Sequence, residues 1–174
     1  AKASDGVFSA VIMVGSTALS YEDYLLGHSN LSSHTADELK AYQDTLDKLS
    51  KMKEQTALEN TETVLGHSVY YFWELQKTNN YELIRKLRLP TYIVQGKKDP
   101  LVPENEGWRQ YNNKIGEGVK YVTYRSFPGL NHVLMSDSST DAYGLPQYTE
   151  NATLDISAGR SIGQWILSLK STAE

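Results

Sequence analysis

Apolar and polar positions fall in blocks along this chain. Residues 7–15, "VFSAVIMVG", form an almost unbroken apolar run, rich in β-branched side chains and closed by Gly15. Such a run predicts a largely buried strand of the kind found inside a parallel sheet. From Thr35 to Glu59, the apolar positions Leu39, Tyr42, Leu46 and Leu49 recur at helical spacing among Lys, Glu, Asp and Gln. That is an amphipathic helix, with Ser33, Thr35 or Asp37 available as its cap. "SVYYFWELQ" (68–76) and "NNYELIRKL" (79–87) predict two further helices, the second capped by Asn79 or Asn80. Pro90 ends that run, because it cannot continue a helix and pushes Leu89 towards extended geometry.

"TYIVQG" (91–96) follows as a short β-rich strand, and "KKDPLVP" as a loop. Pro103 suits the first turn of a helix, where Glu104 and Glu106 would lie at the positive end of the helix dipole. Trp108, Tyr111 and Ile115 share one face of that helix. "VKYVTYRSF" (119–127) is a strand that runs into a Pro128-Gly129 turn. Residues 136–154 are polar and without period. A last helix spans Asp155 to Lys170, with Ile162, Trp165, Ile166 and Leu169 on one face.

Strands that alternate with helices imply an α/β class, with about three parallel strands and helices on the faces of the sheet. Ligands of such sheets gather at the carboxyl ends of the strands. Asp99 and His132 each lie just beyond the carboxyl end of a predicted strand, and the two strands are consecutive. The topology therefore offers a carboxylate and an imidazole on one rim of the sheet. A histidine is the usual general base, and a buried carboxylate beside it fixes its tautomer and stabilises the imidazolium. Taken singly, an Asp-Pro in a loop is turn chemistry and a loop histidine is solvated polarity. The shared rim is what favours the catalytic reading.

Composition narrows the field. The chain has 174 residues, of which 40% are hydrophobic, enough for a real core and most simply one domain. A net charge of −4 leaves no basic footprint for nucleic acid. Cysteine is absent, which removes thiol chemistry, disulfides and cysteine zinc sites. No apolar run approaches the ~20 residues of a membrane span. The run at 7–15 is too short and lacks the basic flank of a signal peptide.

"LRLPTYIVQGKKDPLVP" (87–103) followed by "YRSFPGLNHVLM" (124–135) resembles the C-terminal part of the α/β-hydrolase fold, and is similar to bacterial esterase- or peptidase-like serine hydrolases. In that family the seventh strand ends in a G-x-x-D loop with the catalytic acid, and the eighth in a loop with the catalytic histidine. "GKKD" (96–99) and "GLNH" (129–132) match the two, so the resemblance implies Asp99 as acid and His132 as base. "AVIMVGSTALSYEDYLL" (10–26) is similar to the sixth strand and the start of the helical cap, which the resemblance extends over 16–88. It implies a small ester or amide substrate and neither cofactor nor metal.

The departure from the family is the nucleophile. Its serine sits in G-x-S-x-G at a strand-to-helix turn, and no such motif is present. "GHSNL" (27–31) and "GHSVY" (66–70) lack the final glycine and fall in the cap region, so Ser29 and Ser68 read as decoys. The resemblance thus implies that strands one to five, the serine and the oxyanion hole lie in an N-terminal half upstream of Ala1. The strand at 7–15 would then present an open edge, a template for another chain, and a homodimer through 7–15 is one expectation. The alternative to hydrolysis is a non-catalytic binding or assembly module on the same scaffold.

The remaining signals are weaker. His28, His34, Asp37 and Glu38 match no zinc spacing and read as a solvated helix start. "YYFWEL" (70–75) reads as cap core, with an apolar wall for an acyl or aromatic substrate as the functional alternative. "NLS" (30–32) and "NAT" (151–153) fit a glycosylation sequon, a triplet common by chance.

Overall fold

The computed structural model describes residues 6–20, 23, 35–64, 67–77, 79–136 and 153–170. In chain order the elements are β1 (Val11–Val14), α1 (Ala36–Lys51), α2 (Glu54–Glu59), β2 (Thr63–Val64), β3 (His67–Ser68), α3 (Val69–Lys77), α4 (Asn80–Leu87), β4 (Thr91–Gly96), α5 (Trp108–Ile115), β5 (Val122–Phe127) and α6 (Ile156–Lys170). They fall in two compact units, one of 1–18 with 80–174, the other of 19–79. The class is α/β. His28, Ser29, His34 and both sequon asparagines lie outside the described residues.

In the first unit, β1, β4 and β5 form an open parallel sheet in the order β1-β4-β5. The central strand β4 is buried along its whole length, as its run of Thr, Tyr, Ile and Val demands when both faces are covered. Tyr92 and Val94 point to one face, where they meet Phe127, Leu130, Leu134 and Ala158, with Ile162 and Trp165 of α6 against them. Tyr92 stacks on Trp165 at 5.2 Å between ring centres, and its hydroxyl lies 2.6 Å from Ser161 Oγ. Ile93 points to the other face, among Ala18, Ile84 of α4, Tyr111 of α5 and Val122.

Tyr111 is fully buried and ties the chain after β1 to this second core. Its hydroxyl donates to the Thr17 carbonyl at 2.7 Å and accepts from Ser16 Oγ at 2.7 Å. Burial pushes the Tyr111 phenol up to about 12, against the opposing pull of its hydrogen bonds. Burial also raises Tyr124 to about 12, with Tyr121 and Tyr111 adding to the effect.

Three expectations need correction. The apolar run at 7–15 yields strand only over 11–14, and it is not largely buried: Ile12 is 36% and Val14 42% exposed. The cause is position, because β1 pairs only with β4 among the described residues and its other edge is open. The helix expected over 35–59 breaks after Lys51 and resumes at Glu54, with Met52 N bonded back to Leu49 O and the Met52 carbonyl taken by Trp73 Nε1. The helix expected from Pro103 starts at Trp108. Pro103 instead opens a turn, its carbonyl accepting from Glu106 N and Gly107 N.

The second unit packs Leu49, Val69 and Phe72 into its own core, with Met52 and Leu75 against it. Phe72 and Trp73 of the aromatic run are both buried there. The helix 80–87 belongs to the sheet unit, where Ile84 packs under Ile93 and Asn80 Nδ2 donates to Thr17 O. No helix among the described residues is long and apolar enough to cross a membrane.

The two raised tyrosines set an alkaline limit. Their folded pKa values lie above the unfolded value, so the stability they contribute is complete below pH ~10 and is lost as pH rises through about 12. Urea midpoints should therefore fall steeply between pH 10 and 12, and Tyr111→Phe should flatten that fall. An unchanged alkaline slope in the variant would show that Tyr111 is not the cause.

Candidate active site

β4 and β5 run parallel with Thr91 opposite Val122 and Gly96 opposite Phe127. Both strands therefore end at the same level, and the loops that follow leave the same rim. The first loop carries Asp99 and the second His132. His132 Nδ1 lies 2.9 Å from Asp99 Oδ2. The carboxylate side chain is wholly buried, whereas the imidazole remains 27% exposed. A carboxylate only accepts, so Nδ1 carries the proton it donates and Nε2 of the neutral ring carries the lone pair. Among the described residues nothing else is bonded to that ring.

The rest of the carboxylate is satisfied by its own loop. Asp99 Oδ1 accepts from Leu101 N and Val102 N, both at 2.9 Å, an Asx-type turn that leaves Oδ2 to His132. The loop is anchored to the end of β5 and to the loop after it as well, through Lys97 N to Phe127 O and Lys98 N to Leu130 O, both 2.9 Å. Glu104 closes it from outside, accepting from Trp108 Nε1 at 2.8 Å and pairing with Lys97 at 3.1 Å and Arg109 at 3.2 Å. Burial raises the Glu104 pKa, but the bonds from Trp108 and Lys97 and the charges of Lys97 and Arg109 outweigh it and hold the carboxyl low.

The histidine loop is built around Asn131, which is buried. Its Oδ1 accepts from Val133 N at 3.1 Å and Met135 N at 3.0 Å, and its main chain exchanges bonds with Met135 and Leu134. Leu134 takes φ +60, a strained value for a leucine. Its burial in the α6 face and the bond from Asp155 N to its carbonyl at 2.9 Å hold it there. Asp155 in turn opens α6 by accepting from Ser157 and Ala158, and the Ser157 hydrogen bond leads in holding its carboxyl low.

Two of the three strand ends carry a glycine that admits a close approach. A Cβ on Gly96 would overlap the Leu130 and Asn131 carbonyls. Gly15, just past β1, has φ +55, and a Cβ there would stand 2.7 Å from His132 Nδ1 and Cε1. So Gly15 is where the chain leaving β1 passes against the imidazole. Sequence reading placed Asp99 and His132 on this rim and missed Gly15, Asn131 and Gln95. A buried glutamine before the strand-end glycine and an asparagine before the histidine were the signals on offer.

Ser68, set aside as a decoy, is exposed at the start of α3, where its hydroxyl accepts from Tyr71 N at 3.2 Å. It serves as a helix cap. No protein-family model, curated protein or solved structure matches this chain.

Gly15→Ala tests the crowding at the imidazole. Gly118 supplies the control, since it has φ +76 with nothing near its missing Cβ. Gly118→Ala should cost about 1 kcal/mol, the left-handed strain alone. Gly15→Ala should cost about 2–4 kcal/mol, strain plus displaced packing, and should shift the His132 ring resonances. Equal costs with unshifted resonances would count against the contact.

Proposed function

We propose that Asp99 and His132 are the acid and the base of a Ser-His-Asp triad in an α/β-hydrolase-type serine hydrolase that cleaves carboxylic esters or small amides. The observation that carries this reading is the 2.9 Å bond from a part-exposed imidazole to a fully buried carboxylate at the carboxyl rim of neighbouring parallel strands. The order of the two residues and their G-x-x-D and G-x-x-H loops support the same reading.

In this scheme Asp99 accepts the Nδ1 proton and keeps the ring oriented, so that Nε2 takes the proton of an attacking hydroxyl and later returns it to the leaving group. The buried carboxylate stabilises the imidazolium formed in between. The serine and the oxyanion donors come from sequence upstream of Ala1, carried on a strand that adds to the open edge of β1. Neither acid nor base alone supplies the main electrostatic term of such reactions, so the 174-residue chain by itself should not turn over esters.

A second reading rests on that open edge. From residue 6 to 20 the chain has no charged residue and no proline, and Phe8, Ile12 and Val14 are all more than a third exposed. Edges of this kind pair with other chains, which favours an assembly module through residues 7–15.

Joined to its upstream sequence, the protein should hydrolyse p-nitrophenyl esters and label with a fluorophosphonate. Asp99→Asn and His132→Ala should each lower kcat/KM by about 10⁴-fold. Activity that survives both substitutions would remove the triad. For the edge, sedimentation of the 174-residue chain should show concentration-dependent association that Ile12→Lys abolishes, and a monomer at all concentrations would remove the assembly reading.

A further inference from the structure

Gln95 is the last residue but one of β4, and it is 1% exposed. It lies on the Ile93 face of the strand, among apolar neighbours where a glutamine costs more to bury than a leucine would. Its amide is used at both ends. Oε1 accepts from Trp108 N at 2.9 Å, and Nε2 donates to the Val102 carbonyl. The two partners fix the orientation of the amide, because a main-chain N–H needs an oxygen and a carbonyl needs an N–H.

Val102 and Trp108 are the two ends of the turn that follows Asp99. Val102 also donates its own N–H to Asp99 Oδ1 at 2.9 Å. A line of bonds thus runs from the first residue of α5 through Gln95, Val102 and Asp99 to His132. Trp108 N is one of the donors that every helix start leaves unpaired. Gly107, the residue before it, offers no side-chain cap, and a Cβ on it would overlap the Gln95 amide. The glycine is there to admit the glutamine.

We propose that Gln95 is a positioning residue for the Asp99–His132 pair: its amide spans the stems of the acid loop and sets the direction in which the carboxylate faces the imidazole. The proposal concerns the pair's geometry and rests on the site reading above, not on which bond the site breaks. Only a side chain that accepts and donates at once fits between Trp108 N and Val102 O. Methionine has about the same volume and neither function.

The test uses the 174-residue chain without substrate. In Gln95→Met, hydrogen exchange should accelerate about tenfold or more at Trp108, which loses its acceptor, and at Leu101 and Val102, whose turn onto Asp99 loses its anchor at the Val102 carbonyl. The downfield His132 Nδ1 proton should move or vanish, while the β4–β5 ladder amides keep their protection. Gly107→Ala, which presses on the same amide from the other side, should give the same pattern, and it decides the matter if the methionine variant does not fold. An unmoved His132 proton and unchanged Leu101 and Val102 exchange would overturn the proposal. So would a uniform loss of protection across the sheet, which is the mark of a merely structural glutamine. Because no turnover is read, these outcomes are separate from the fate of the hydrolase reading.

Discussion

The structure of the rim follows from one constraint, the burial of the Asp99 carboxylate. A carboxylate removed from water is costly unless its lone pairs are met by donors. Here three donors meet it, two from the loop that immediately follows and one from a loop 33 residues further on. The first two set a tight local turn and are available to almost any Asp-Pro segment. The third needs two strands to be parallel, adjacent and of equal length at their carboxyl ends. That requirement links the sheet to the site, since a shift of register by one residue would turn Gln95 and Phe127 to the wrong faces.

The same constraint explains where small residues stand. The histidine loop has to lie close over the end of β4 for its imidazole to reach Oδ2, and Gly96 admits the Leu130 and Asn131 carbonyls that come with it. On the other side, the chain leaving β1 passes so near the ring that Gly15 alone fits. The rim is thus packed from three strands around one imidazole, with Nε2 left as its unengaged atom among the described residues. Strain is concentrated there too. Leu134 at φ +60 sits two residues after His132 and is held by its core contacts and by the start of α6.

Much of the sheet unit was legible in the sequence because its signals are short-ranged. "TYIVQG" is strand from end to end, and the last helix starts within a residue of the expected place. The Asp-His pair was legible for a topological reason: two loops after consecutive parallel strands share a rim whatever the side chains between. The failures had longer-range causes. The run at 7–15 has the composition of a buried strand, yet burial depends on a neighbour that the described residues do not supply. Pro103 is a good first helical residue in isolation, but Gln95 reaches across from β4 to provide the start at Trp108 instead. The glutamine's role could not be read locally, since both its partners lie on the far side of the loop. The break at Met52 depends on Trp73, 21 residues away, taking a carbonyl that the helix would have used.

The open edge of β1 and the lone pair on His132 Nε2 pose the same question from two directions. Ile12 and Val14 are in register with Tyr92 and Val94, so they share the face that α6 covers over β4, but over β1 that face is exposed. Val11 N and Gly15 N bond to Pro90 O and Val94 O, which directs the alternate backbone groups at Ile12 and Val14 away from β4. A further strand placed there would satisfy those groups. Continuing in parallel, it would also end at the same rim, next to the Gly15 turn and within reach of the imidazole. Gly15 is required whichever kind of strand lies there, because a Cβ at that position would stand 2.7 Å from His132 Nδ1 and Cε1. The binding and the catalytic readings of this edge therefore part company over what such a strand carries past the rim, not over the glycine.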